Sequence, residues 1–398
     1  MKYEMLSKIY YQNKERYEQT YTQRMHSEYA VHLDFEIAGH PAFFVETPEI
    51  FSMVSNILRM NKNVSDLCQW LPGAAISQFS RKCLIDEIIL TNKIEGVTST
   101  RKEISDILDE LEQKSKRRRF YGLVQKYQML MTKAEIPLHH CEDVRAIYNE
   151  LALAEVIEEN PEHAPDGKIF RRGPVSLYNS AQKEIHKGLY PEEKIIEAME
   201  QALRFLEENT CDILYRISLF HYLLEYIHPF YDGNGRLGRF ICSYLLAREL
   251  EPVTGYRLSY TIKENVKEYY RAFNACDSPL NRGDVTPFLH MFLSIIQESV
   301  EKLKNSLQKG AVRLKRCMDK IPQLVEDQDE TLEKLYGLLI QAALFSENGV
   351  TTDVILKHLS ISRGTLNAKL EKIPAHLLVK EKRGKRNYYA INLEALEE

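Results

Sequence analysis

The sequence of 398 residues contains no CxxC pair, no Walker-type GxxxxGK[ST] run and no apolar stretch long enough to cross a membrane. Its seven cysteines, Cys68, Cys83, Cys141, Cys211, Cys242, Cys276 and Cys317, are odd in number and scattered. That argues against a disulfide frame or a zinc-ligand set and predicts reduced thiols. Even the most apolar helical segment carries Asp212, Arg216 and Glu225, too much charge for lipid. Met1 to Arg16 lacks an apolar run between a basic end and a small-residue cleavage site, so no leader is expected and the expected location is the cytoplasm. Neither charge is in surplus: 53 Lys and Arg stand against 57 Asp and Glu, and a net −4 gives no general pull toward nucleic acid or a membrane. With 28% charged and 44% hydrophobic residues the chain reads as globular, and its length allows two or three cores.

What the chain does have is one dense stretch, His228-Pro-Phe-Tyr-Asp-Gly-Asn-Gly-Arg-Leu-Gly-Arg239. Before it, Ile213, Ile217, Phe220, Leu224 and Ile227 recur at steps of four and three, which predicts an amphipathic helix with one apolar stripe. Pro229 disfavours helical geometry at His228, so the imidazole should stand at that helix's end. A second helix should begin near Gly235, and Gly233-Asn234-Gly235 frees the backbone between the two. Amide groups at a helix N-terminus form a seat for a phosphate. Arg236 and Arg239 share a face and can grip polyphosphate oxygens. Asp232 is a hard carboxylate suited to Mg²⁺ that takes its other ligands from water and phosphate. His228 is a base whose ordinary pKa lies near neutrality. Gly233 to Gly238 spells GxGxxG, but after a helix rather than a strand, so neither standard nucleotide fold is indicated.

The stretch resembles the signature of the Fic (filamentation-induced-by-cAMP) family, H-P-F-x-[DE]-G-N-G-R-x-x-R, at every defined position, and His221 to Ile227 resembles the helix that precedes it. The resemblance implies protein adenylyltransfer: His228 as base, Asp232 holding Mg²⁺, and ATP seated along Gly233, Asn234, Gly235, Arg236, Leu237, Gly238 and Arg239. Thr91-Asn-Lys-Ile-Glu95-Gly96 resembles the family's inhibitory motif [ST]-x-x-x-E-[GN]. It implies that Glu95 pairs with Arg239 and takes the place of the ATP γ-phosphate. Pro165 to Tyr178, with a turn expected at Gly173-Pro174, resembles the β-hairpin flap, whose strand edge could hold a target segment. Tyr270 and Asn281 are the candidates for flanking the adenine.

The resulting fold class is mainly α: a Fic-type helical core with a small β-hairpin flap, a helical N-terminal domain and a C-terminal winged helix-turn-helix. The expected domains are 1–110, a basic connector at 111–135, the core at 136–298, a connecting helix at 299–330 and the winged module at 331–398. Val31 to Ile37 and Ala42 to Val45 should form a hairpin, and helices are expected over 48–58, 78–93, 137–153, 263–274 and 295–320. Lys114 to Arg119 reads as a solvated basic helix face. Leu335 to Phe345, Thr352 to Leu359 and Arg363 to Ile373 should be helices ahead of a basic hairpin carrying Lys380, Lys382, Arg383, Lys385 and Arg386. Such a module serves DNA or protein contact, a homodimer included. Three readings therefore compete. One is an adenylyltransferase acting on a Tyr, Thr or Ser hydroxyl of a protein or of itself, with AMP removal as its reverse. The second is a DNA-binding regulator, and the third a structural partner.

Overall fold

The computed structural model describes residues 3–111, 119–178, 184–209, 211–325, 329–383 and 386–398. Among the described residues the chain is mainly helical with three small sheets, and it divides into two units. The first comprises residues up to Asn61 together with Ile85–Glu301; the second comprises Lys62–Leu84 and Lys302–Glu398.

The first unit is built on two helices, Ile213–Ile227 and Asn234–Glu249, packed against each other, with Glu192–Glu207 packed on the former. Asp212 starts Ile213–Ile227 by accepting from the Leu214 amide at 2.8 Å. A single buried stripe was expected, but every residue from Leu214 to Leu224 is buried. The helix lies inside the unit, and its polar side chains find partners there. Arg216 donates to the Leu206 carbonyl and to Asn209, and Ser218 to the Leu214 carbonyl.

Ala30–Ile37 and His40–Val45 form an antiparallel hairpin in which Leu33, Phe35 and Ile37 face inward. Phe43 continues the pairing with the far end of the unit, accepting from the Val285 amide and donating to the Gly283 carbonyl. The Gly73–Ile94 helix begins directly after Pro72, five residues before the expected start. It closes on Gly96 at φ +76, with the Val97 amide reaching back to the Asn92 carbonyl at 2.9 Å, the geometry of a glycine-terminated helix.

Several boundaries move. The expected 137–153 helix runs Cys141–Leu151, because Asp143 accepts from the His139 and His140 amides and fixes the first turn. The expected 263–274 helix is two, Leu258–Glu264 and Val266–Asp277, broken at Asn265. The flap also differs. Its antiparallel strands are Ser176–Tyr178 and Glu184–Lys187, and Gly173-Pro174 precedes the first of them rather than joining the two. The segment before the hairpin is held in place instead. Glu192 accepts from the Lys168, Ile169 and Phe170 amides, and the Gly173 amide donates to the Tyr231 hydroxyl at 2.7 Å.

In the second unit, Glu330–Phe345, Thr352–Leu359 and Arg363–Glu371 are capped by Asp329, Thr351 and Ser362. The chain turns on Ser360 at φ +53, and the sheet order is Val350–Thr351, Arg386–Ile391, Leu378–Arg383. Lys385 and most of the Lys114–Arg119 run lie outside the described residues.

Candidate nucleotide-binding site

Helix Ile213–Ile227 ends at His228, which caps it in the left-handed conformation at φ 52. Pro229 then carries the chain out, and Gly233 at φ +83 turns it into Asn234–Glu249. Asn234 staples this loop from within: its side chain accepts from the Phe230 amide at 3.0 Å and donates to the Phe230 carbonyl at 2.9 Å. Phe230 stacks on Tyr148 with ring centroids 3.6 Å apart, and the Tyr148 hydroxyl donates to the Asp232 carbonyl. The loop is therefore rigid before any ligand arrives, as an anion seat of backbone amides requires.

His228 is 6% exposed, and its Nδ1 has no hydrogen-bond partner among the described residues. Burial, then the nearby His186 and Arg171, lowers its pKa to about 3, which keeps the ring neutral and able to accept a proton. Arg236 is buried too, with an unpartnered Nε, so the floor of the seat carries a donor that lacks an acceptor. Asp232 is half-buried beside Gly233, whose amide its carboxylate accepts. Among the described residues no group of three His, Cys, Asp or Glu could cage a metal. A lone carboxylate suits a Mg²⁺ ion that draws its remaining ligands from phosphate and water.

Arg239 is already occupied. Its guanidinium lies 2.8 Å from Glu95 Oε1, donates through Nε to the Thr91 hydroxyl at 2.8 Å and through another nitrogen to the Thr91 carbonyl at 3.2 Å. Glu87 and Thr91 fall four apart on Gly73–Ile94, and Glu95, in the turn directly past its end, continues the same spacing. Glu87 is fully buried and takes the Ser259 amide at 2.9 Å on both oxygens; burial pushes its pKa up to about 7. Gly235 is needed where it stands. A Cβ there would run into the Glu95 carboxylate and would sit 2.9 Å from the Arg239 guanidinium.

Residues 139–246 match the model of the Fic/DOC family. The chain carries a Fic domain there. It is 24% identical over 146 residues to protein adenylyltransferase fic-1 of Caenorhabditis elegans, covering 36% of this chain and 27% of that one. With protein adenylyltransferase Fic of Drosophila melanogaster it shares 29% over 140 residues, covering 34% and 25%. The chain thus matches only about a quarter of the length of these curated relatives. A crystal structure of a Fic family protein from Desulfovibrio desulfuricans G20 aligns with TM-score 0.53 at 21% identity, over 87% of this chain and 97% of that one, which shows a shared fold.

The loop from His228 to Gly233 carries Asp232, the helix that follows carries Arg236 and Arg239 in its first two turns, and Glu95 lies against Arg239. Leu237 is fully buried beneath them, and Gly238 packs against Glu225 and His221, leaving no room for a side chain. Tyr270 is 44% exposed, and its hydroxyl is pushed up to about 12 by burial and then by the Glu95 carboxylate. Asn281 is buried in its own turn, donating to the Asp284 carbonyl, and no hydrogen bond among the described residues joins it to the loop.

Sequence reasoning missed Arg171. It is fully buried and donates to the carbonyls of His228, Gly173 and Leu189, tying the base of the flap to the signature loop. Burial lowers its pKa to about 10. Nothing in a doubled arginine beside a glycine announces that role. Glu225 was missed as well. Its Oε1 is buried without a partner, and burial followed by Glu95 raises its pKa to about 8.

Proposed function

We propose that this chain transfers AMP from Mg-ATP to a Tyr, Thr or Ser hydroxyl of a protein, itself included, and that Glu95 restrains the transfer. The observation that carries the reading is the 2.8 Å ion pair between Glu95 and Arg239, set against a rigid anion seat whose other arginine is unsatisfied. The names of the C. elegans and Drosophila relatives agree with it.

In this reading the Gly233–Gly235 amides and Arg236 receive phosphate oxygens, and Arg239, once released, takes the γ-phosphate. Asp232 would hold Mg²⁺, which supplies charge neutralisation for the departing pyrophosphate. His228 accepts the target hydroxyl's proton as that oxygen bonds to the α-phosphorus. The bond from the α-phosphorus to the oxygen bridging the β-phosphate breaks, and pyrophosphate leaves with that electron pair. Rate comes from alignment and from charges fixed in advance. While Glu95 holds Arg239, its carboxylate occupies the γ-phosphate's place and repels that group. The same carboxylate could orient water for the reverse removal of AMP, so the two directions share one site.

The test uses the full chain, Glu95→Gly and Glu95→Gly/His228→Ala, each with Mg²⁺ and ATP labelled on the α-phosphate. Weak self-labelling by the parent should rise about tenfold or more with Glu95→Gly and vanish with the second change. A Glu95→Gly chain no more active than its parent ends the inhibition claim. A Glu95→Gly chain that takes up no α-phosphate label but is labelled in a parallel run with γ-phosphate-labelled ATP ends AMP transfer.

A second reading, duplex DNA binding by residues 331–398, is favoured by helix Arg363–Glu371. That helix buries only Leu366 and Leu370 and leaves Arg363, Thr365 and Asn367 exposed. It stands second because Lys369 and Lys372 both bridge to Asp329 and Arg383 to Glu381, so part of the basic charge is neutralised within the unit. The salt dependence of a DNA shift decides it.

A further inference from the structure

His186 stands on flap strand Glu184–Lys187, opposite Leu177. Its Nδ1 lies 3.0 Å from Asp277 Oδ2 and its Nε2 lies 2.9 Å from the Tyr226 carbonyl. Both neighbours are acceptors, and a neutral imidazole has only one N–H to give. The geometry therefore calls for the doubly protonated, positive ring. Asp277 is itself fixed: its other oxygen accepts from the Tyr222 hydroxyl at 2.7 Å. The side chains of His186 and Asp277 are only 10% and 14% exposed.

This bridge joins three elements: the flap strand, helix Val266–Asp277, and the last turn of Ile213–Ile227, two residues before His228. The flap then runs straight onto the base. The Gly188 amide donates to the Val175 carbonyl, the Leu189 amide to the Ile227 carbonyl, and a Cβ on Gly188 would lie 2.9 Å from His228 Cβ. The rings of His186 and His228 are 6.3 Å apart.

We infer that His186, charged and bridged to Asp277, is a positioning residue that fixes the flap over His228 and supplies a positive charge that adds to burial in disfavouring a proton on His228. The titratable groups facing it are Asp277 from Val266–Asp277 and Glu225 and His228 from Ile213–Ile227 and its cap, and Arg171 also acts on His228. Burial alone would lower the His186 pKa. Asp277 and the Tyr226 carbonyl outweigh it, and the net direction is upward. Its charge in turn helps to lower that of His228. The inference rests on the AMP-transfer reading only for its activity arm.

The test compares the full chain with His186→Ala, His186→Gln and Asp277→Asn. Hydrogen exchange of amides 184–189, which needs no activity, should quicken about tenfold in His186→Ala and Asp277→Asn. His186→Gln keeps a donor for Tyr226 without the charge and should recover part of that protection. In the Glu95→Gly background, His186→Ala should slow AMP transfer about tenfold while Mg-ATP affinity stays within about twofold. The acid limb of the rate profile should move to higher pH by about one pH unit in both His186 variants, because removing a positive neighbour raises the pKa of His228. Unchanged exchange in both His186→Ala and Asp277→Asn overturns the inference. So does a loss of transfer matched by a loss of Mg-ATP binding. A Glu95→Gly chain that transfers no AMP sinks the transfer reading alone and leaves the exchange result to decide this one.

Discussion

Arg239 is engaged by several groups at once. Thr91 and Glu95 hold it directly, and the buried Glu225 adds its field. The sequence makes Arg239 and Glu95 readable because each falls in a short pattern. Glu225 looks like no more than a charge that spoils an apolar helix, because the carboxylate facing it, Glu95, is distant in the chain. Its raised pKa has a consequence for stability. A carboxyl whose ordinary value is 4.5 and whose folded value is about 8 contributes stability fully below the former and loses it as pH rises through the latter. The parent's thermal midpoint should therefore fall between about pH 5 and about pH 8, and Glu225→Gln, which cannot ionise, should flatten that fall. Glu95→Gly should flatten it in part, because it removes a neighbour that raises the same pKa. Circular dichroism melts across this range check the point; parallel curves for parent and Glu225→Gln would refute it.

At the scale of elements, the Gly73–Ile94 helix shows what pattern can and cannot convey. Ile85, Ile88 and the closing Gly96 mark it as a helix that docks. Its long-range polar contacts come from Glu87, Thr91 and, just past its end, Glu95, which read as solvated until the groups they meet, Ser259 and Arg239, are known. The flap was misplaced for a related reason. Gly173-Pro174 has turn chemistry, but the Tyr231 hydroxyl and Arg171, a contact distant in sequence and one close to it, hold Gly173 in place. If Glu87, Thr91 and Glu95 dock the helix, Thr91→Val should loosen it without emptying the site. A typical intramolecular hydrogen bond contributes about 0.5–1.5 kcal/mol net, so self-labelling should rise about two- to tenfold, between the parent and Glu95→Gly. Labelling at or below the parent's level would mean that Thr91 does not contribute to the restraint.

For the whole molecule, the boundaries between the two units fall inside helices: Pro48–Trp70, Gly73–Ile94 and Thr286–Met318 each begin in one unit and end in the other. A helix can serve one core with its first half and another with its second, and nothing in its composition marks the change. Charge is read more securely at this scale. A net −4 gives no long-range attraction to a polyanion, so any DNA binding must come from the local cations of the second unit. Lys369, Lys372 and Arg383 are in ion pairs, and the Lys380 ammonium lies 5.7 Å over the Tyr389 ring. Arg363 and Lys382 are the exposed cations best placed on the helix and the hairpin. If the unit binds duplex, the full chain should shift generic DNA at low salt with a log–log salt slope of about −2 to −4, and Arg363→Ala and Lys382→Ala should each reduce the slope by about one. Binding that does not weaken with salt, or no shift at the lowest salt, would leave the second unit without a nucleic-acid role.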